Sequence, residues 1–317
     1  MTVSIIIAVK TWQRNLEECV AKCRELDFPD FEIIVLPDGP VSEAQKEVRI
    51  IPTGPVSPAH KRDIGFKQAN GEIIAFLDDD AWPEKAWLKN AIRHFSDASI
   101  AAVGGPAVTP VDDSLWQKAS GAVYSSPLVS GKYIYRYMPR QLRQVDDYPS
   151  CNFIVRKAVL EKTGGFNTNF WPGEDTKLCL DITQKLGKKI IYDPQVLVYH
   201  HRRPVFLPHL KQIASYAVHR GYFVKRYPET SLRPAYFVPS IFLIGIVLGM
   251  LVSLFVPVIR LVYLPGVFLY LLLVLIFSLS NGLSLLGLVL FGIITTHITY
   301  GAFFIKGLLT KQLSEEN

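Results

Sequence analysis

The chain is short of cysteine and has none of the spacings that bind metal. Cys19, Cys23, Cys151 and Cys179 are the whole set, and no two form a CxxC pair. That argues against a disulfide framework and a zinc ribbon. Cys19 and Cys23, four apart on an expected helix, read as packing thiols in a reduced, cytosolic setting. A large charge excess is lacking too. The net charge is +6 over 317 residues, the basic residues bunch before the tail, and charge almost disappears after Arg233. This placement points to an anionic membrane surface and away from nucleic acid. A secretory signal is not expected, because the amino terminus reads directly into a strand.

What is present centres on Gly71–Pro83, GEIIAFLDDDAWP. Ile73 to Leu77 form an apolar run of the length of a buried parallel strand, which ends abruptly in Asp78, Asp79 and Asp80. Three adjacent carboxylates repel one another unless a cation or substrate compensates. Mg²⁺ or Mn²⁺, with substrate phosphates completing the shell, suits such a cluster. The alternative is a solvated acidic turn before the helix expected near Pro83.

Around this run, strands alternate with helices. Val3–Val9, Phe31–Leu36, Val48–Ile51 and Ile100–Val103 read as strands, with helices over Leu16–Leu26, Ser57 to Asn70 and Ala86–Phe95. The alternation predicts an α/β fold with a mostly parallel sheet and its binding edge at the strand carboxyl ends. Asp38, after the second strand, should meet the acidic run there. It is placed to accept from a nucleotide base or ribose, or is simply a turn aspartate. From Ala119 to Pro149 the pattern weakens into an expected long loop. Its Arg136, Arg140 and Arg143 either grip acceptor phosphates or form a solvated face. Order returns at Cys151–Val155, in a helix ending at Gly164-Gly165, and in a helix opening at Glu174-Asp175. These two acids either complement the helix dipole or supply a general base. Short strands at Ile190–Tyr192 and Val196–Tyr199 follow, the last closing on His200-His201, which offers a metal ligand or nothing more.

Leu210, Ile213, Ala214, Ala217, Gly221 and Val224 share a helical face, with Lys211, His219, Lys225 and Arg226 largely off it. That pattern fits a helix lying in a membrane interface, or one packed on the soluble domain. The tail holds three apolar stretches, about 235–256, 261–279 and 283–305, each near the roughly 20 residues that a span requires. The basic cluster from Arg202 to Arg233 sets the soluble part on the cytoplasmic side of a multi-pass cell-membrane protein. Three crossings put the chain beyond Lys311 on the opposite face, which Lys306 and Lys311 disfavour, so a re-entrant segment stays open. The expected division is 1–205, a linker helix over 206–233, and a transmembrane region over 234–317.

Taken in order, SIIIAVK, IIVLPDG, AHKRDIGFKQANGEIIAFLDDDAWP, CNFIVRKAVLEKTGGFN, GEDTKLCLDI and the strand ending VYHH resemble the family 2 glycosyltransferases. The resemblance covers about Val3 to His201 and implies the GT-A fold for 1–205. The apolar tail resembles that of membrane-bound members that build glycans on lipid carriers or extrude polysaccharide. Asp38 would then contact the donor base, and Lys61 and Arg62 would line the donor pocket. Asp78 and Asp80 match the DxD motif, with Asp79 between them in the donor site. Asp80 would ligate the metal and Asp78 the ribose or the metal shell. Asp175 would be the catalytic base with Glu174 beside it, and His200 or His201 would complete the metal shell or touch the diphosphate. Where family members often carry Asp and Arg, this chain has Lys177 and Asp181, so an i, i+4 ion pair survives with its signs exchanged. The QxxRW signature of processive synthases is absent from the sequence.

The expected activity is inverting transfer of a sugar from a nucleotide-diphospho-sugar to a hydroxyl of a lipid-linked or cell-surface glycan. One base without a nucleophilic partner suits direct displacement. A polyprenyl phosphate acceptor is the alternative; its ionised oxygen needs little base assistance, so the Glu-Asp pair favours a hydroxyl. An inactive nucleotide-sugar-binding membrane protein is a third reading, against which Asp78, Asp80 and Asp175 speak.

Overall fold

The computed structural model describes residues 1–41 and 47–316. In chain order the elements are β1 (Val3–Ala8), α1 (Arg14–Cys23), β2 (Phe31–Leu36), β3 (Val48–Ile50), α2 (Pro58–Gln68), β4 (Ile73–Asp78), β5 (Ala81–Pro83) and α3 (Trp87–Ile92). Next come β6 (Ile100–Gly104), β7 (Ala107–Val108), α4 (Leu115–Tyr124), α5 (Pro127–Ser130), β8 (Arg143–Val145), β9 (Asn152–Arg156), α6 (Lys157–Thr163), α7 (Glu174–Leu180), β10 (Lys189–Tyr192) and β11 (Val198–His200). The chain closes with α8 (Leu207–Arg226), α9 (Pro228–Ser231), α10 (Pro234–Phe255), α11 (Pro257–Leu279) and α12 (Leu286–Leu309). Two compact units result. The first holds Met1–Val108, Tyr135–His201 and a short piece from Ser314; the second holds Thr109–Ile134 and Arg202–Leu313.

The first unit is built on an eight-stranded sheet of order β3-β2-β1-β4-β9-β6-β10-β8. β3, β2, β1 and β4 are all parallel, and Ala8 lies opposite Asp78 where β1 and β4 end. The central pair β1 and β4 is largely apolar on both faces, as burial between helix layers demands; Ile5, Ile6, Ile7, Ile74, Phe76 and Leu77 are buried. β9 is inserted antiparallel between β4 and β6, pairing Leu77 with Asn152. An apolar run of five residues carries no signature of its direction, so the sequence did not foretell this reversal. The four cysteines are buried free thiols. A second, three-stranded sheet of order β5-β11-β7 sits just past the acidic run, with His200 opposite Ala81.

In the second unit the stretch expected as a loop from Ala119 is partly helical. Ser114 and Gln117 form a capping box that starts α4, and α5 follows it. α4 joins α11 and α12 in an apolar cluster through Ala119, Val123, Val274, Val289 and Ile293. α8 packs along α12, and His219, expected off its packed face, is buried, its ring bonded to the Ser215 carbonyl at 2.9 Å. Lys211, Lys225 and Arg226 are exposed as expected. Among the described residues, α10, α11 and the helix from Leu286 are long and apolar enough to cross a membrane.

Candidate active site

The carboxyl ends of β1, β2 and β4 place the site. Lys61, buried on α2, donates to the Val9 carbonyl at 2.5 Å, to the Leu36 carbonyl at 3.3 Å, and to the Asp38 carboxylate. One ammonium thus ties the ends of β1 and β2 to the carboxylate beyond them. Arg62, the next residue, is 5% exposed. Its Nη2 donates to Asp78 Oδ1 at 2.9 Å and its Nη1 to Glu174 Oε1 at 2.8 Å. The guanidinium fork joins the two acidic motifs across the 112 residues that separate Arg62 from Glu174. Glu174 is buried, and its other oxygen accepts from the Gly173 N–H at 3.0 Å.

Past β4 the three aspartates diverge. Asp78, Asp80 and His200 bring one ligand atom each to within 4.8 Å of one another. The pairing of β5 with β11 causes this: it sets His200 Nε2 2.9 Å from Asp80 Oδ1. Two carboxylate oxygens and one imidazole nitrogen fit a divalent ion that tolerates nitrogen and leaves positions for phosphate oxygens. His201 turns elsewhere. Its Nε2 meets Glu18 Oε2 at 3.2 Å and its ring lies 4.7 Å from that of Trp82. The two histidines, both offered as ligands by the sequence, thus have different neighbours: His200 stands with Asp78 and Asp80, and His201 with Glu18. Asp79 accepts from Gln13 Nε2 at 2.7 Å. Burial, and then the charge of Asp80, pushes its carboxyl up to about 6.

Asp175 sits in the first turn of α7. Its Oδ1 accepts from the Thr176 N–H at 2.7 Å and its Oδ2 from the Ser150 N–H at 3.4 Å. Burial, followed by the charges of Glu174 and Asp147, raises its carboxyl to about 7. A carboxylate tuned to neutrality has the proton affinity that general-base chemistry uses. Lys177 and Asp181 form the sign-exchanged pair, Nζ to Oδ2 at 2.6 Å, and Lys185 joins it.

Several contributors were not singled out from sequence. Asn152 accepts from Trp87 Nε1 at 2.8 Å and donates to the Gly105 and Val196 carbonyls at 2.7 and 2.8 Å, holding the strand ends below the site. Asp63 accepts from the Phe166 and Asn167 N–H groups at 2.8 and 3.1 Å and anchors the loop toward α7. Gly165 adopts φ +80° there, and a Cβ would fall 2.2 Å from Asp63 Oδ1, so glycine is required. Asp147 accepts from Thr176 Oγ1 at 3.2 Å and makes a long pair of 3.5 Å with Arg136. Of the three loop arginines, Arg136 pairs with Asp147; the adjacent acids Asp146-Asp147 were a sequence hint.

A mostly parallel sheet closing on an Asp-x-Asp turn, with an acid-led helix beside it, defines the class as an α/β domain of the GT-A fold. The family model "Glycosyl transferase family 2" matches residues 4–164, and the chain belongs to that family. The chain is 26% identical over 236 residues to the pre-mycofactocin glycosyltransferase of Mycobacterium tuberculosis, covering 72% of this chain and 48% of that protein. It thus spans about half the length of that relative. It is 22% identical over 244 residues to a dolichyl N-acetyl-α-D-glucosaminyl phosphate 3-β-D-2,3-diacetamido-2,3-dideoxy-β-D-glucuronosyltransferase of Methanococcus voltae, covering 71% of this chain and 74% of that one. Among solved structures, the mannosyltransferase PcManGT of Pyrobaculum calidifontis, in complex with GDP-Man and Mn²⁺, shares the fold. The TM-score is 0.52 at 17% identity, over 99% of this chain and 77% of that chain.

Proposed function

We propose that the protein is a membrane-anchored, inverting glycosyltransferase that moves a sugar from a nucleotide-diphospho-sugar to a hydroxyl of a lipid-linked glycan on the cytoplasmic face. The observation that carries this is the shared guanidinium. Through Arg62, the Asp78–Asp80–His200 donor set and the Glu174-Asp175 helix start form one connected array. Asp38, held by Lys61, faces the donor base. Asp78, Asp80 and His200 would hold a divalent ion, Mn²⁺ or Mg²⁺, which offsets the charge that grows on the departing diphosphate. Asp175 takes the proton from the acceptor hydroxyl as its oxygen attacks the anomeric carbon, and the bond to the diphosphate oxygen breaks on the opposite face. Glu174, ion-paired with Arg62, orients that guanidinium, and its negative charge adds to burial in raising the basicity of Asp175. Relatives named for lipid-linked acceptors and a neighbour named for GDP-Man and Mn²⁺ support the reading, as does the basic bunching before α10.

Purified full-length protein in detergent, screened with UDP-, GDP- and dTDP-sugars and Mn²⁺ or Mg²⁺, should hydrolyse one donor class slowly. It should transfer that sugar to a lipid-linked saccharide. Transfer to polyprenyl phosphate alone would replace the acceptor assignment, and no turnover of any donor would remove the enzymatic reading. Asp80→Ala should weaken metal-dependent donor binding at least tenfold by calorimetry; unchanged Mn²⁺-dependent affinity would take Asp80 out of the ligand set.

A further inference from the structure

We infer that α12, the third apolar helix, does not cross the bilayer but lies in its plane in the leaflet that the chain enters at Pro234, so that only α10 and α11 span. This rests on the membrane reading above and not on the activity. The two spanning helices form an antiparallel hairpin. Tyr263 Oη donates to the Ile246 carbonyl at 3.1 Å, and the Phe242 and Tyr270 rings lie 4.5 Å apart. Pro234 and Leu279 are therefore at the open end of this hairpin and Val256 at its turn.

The contacts cited between α12 and the hairpin meet the open end. Its carboxyl half touches the start of α10: Ser240 Oγ donates to the Gly301 carbonyl at 3.0 Å, and the Phe237 and Phe304 rings are 5.0 Å apart. Its amino half touches the end of α11, where Val274 packs with Val289 and Ile293. Between them, His297 Nδ1 meets Tyr270 Oη at 3.0 Å. A third strand of an up-and-down bundle would carry one of its ends to the Val256 turn. Here both ends of α12 return to the level of the open end, so the helix runs across the hairpin.

α8 gives the second, independent observation. Val205, just before it, lies against Gly292, and His209 Nε2 meets Thr296 Oγ1 at 3.0 Å. Gly221 and Gly307 allow backbone approach, a Cβ at Gly307 falling 2.1 Å from the Val218 carbonyl. Lys225 Nζ then donates to the Thr310 carbonyl at 2.5 Å. The two helices thus run side by side from Gly292 to Thr310, about 27 Å at 1.5 Å per residue, close to a whole hydrocarbon thickness. Were α12 to cross, α8 would cross with it and carry Lys211, Arg220, Lys225 and Arg226 through the lipid, which bilayers strongly oppose. With α12 in the plane, α8 lies on its water side. The opposite face of α12 bears exposed Phe291, Ile298 and Leu309, a stripe at helical spacing fit for acyl chains. Consistently, 33% of the apolar window of the third candidate span is buried in protein, against 11% in each of the others.

The test uses sealed membrane vesicles and a membrane-impermeant maleimide on full-length protein, whose native cysteines are buried. Ser314→Cys should label in the same vesicles as Lys85→Cys on the catalytic unit. Val256→Cys should label only in vesicles of the opposite orientation or after detergent. Ser314→Cys tracking Val256→Cys would establish a third crossing and overturn the proposal, and so would labelling of all three from one side. Spin labels at Phe291, Ile298 and Leu309 should report one immersion depth; a graded depth along the three positions would equally overturn it.

Discussion

Asp175→Asn is expected to lower sugar transfer about 10²–10⁴-fold, the range that a positioned general base contributes, while leaving metal-dependent donor affinity within about threefold of the wild type. The substitution keeps an oxygen to accept the Thr176 N–H, so the start of α7 stays capped. It removes the proton acceptor and, on the other oxygen, the long 3.4 Å contact from the Ser150 N–H. In the wild type, kcat/KM should fall tenfold per pH unit below about 7 and level off above it, because burial and the Glu174 charge hold the carboxyl at about 7. Stability moves the other way. The folded state keeps a proton on Asp175 that the unfolded chain releases near pH ~3.9, so folding is favoured at low pH and loses ground as pH rises from about 4 to 7. Asp175→Asn abolishes that loss, and its thermal midpoint relative to the wild type should climb across the same window. Transfer rates, donor calorimetry and thermal melts from pH 4 to 9 check the three statements together. Unchanged turnover would remove the base assignment, and a wild-type profile flat through pH 7 would remove the poised carboxyl.

Much of the sheet was legible because buried parallel strands are written as short, continuous apolar runs. β1, β2 and β4 fall within a residue of the expected bounds, and their carboxyl ends gather Asp38 and Asp78 as the alternation implied. The direction of β9 was illegible, since an apolar run reads alike both ways. α4 was missed although its signal is printed in the chain: Ser114 and Gln117 stand three apart before an apolar stretch, the spacing of a capping box. The site divides the same way. The acidic motifs stand out locally, whereas the choice between His200 and His201 depends on the register of β5 against β11, which no periodicity encodes. The bond from Arg62 to Glu174 is likewise a product of tertiary folding, joining residues that share no element and no pattern. Length and composition identified the apolar tail. They could not tell a spanning helix from one lying in the plane, because both need a lipid-facing apolar surface and differ only in which neighbours flank them.

Arg62→Met should be the most damaging single change to the first unit. The side chain is buried, lies 5.6 Å from the Phe166 ring centre, and is ion-paired to Asp78 and Glu174 at once. Methionine replaces the apolar stem but leaves the buried Glu174 carboxylate facing Asp78 with the cation gone. Breaking a buried pair in this way typically costs about 3–5 kcal/mol, a large share of a domain's stability. Arg62→Lys should recover little, because one ammonium cannot span the two carboxylates that the planar fork bridges. The double variant Arg62→Met/Glu174→Gln should regain much of the thermal midpoint by removing the stranded charge, and a double-mutant cycle on these positions measures the coupling. Activity should stay lost in both, since Asp78 no longer has a partner fixing its carboxylate toward Asp80 and His200. Mn²⁺ with donor should raise the melting temperature of Arg62→Met by more than that of the wild type, because a cation on Asp78 substitutes for part of the missing guanidinium. A single Arg62→Met variant as stable and active as the wild type would break the link on which the proposed site depends.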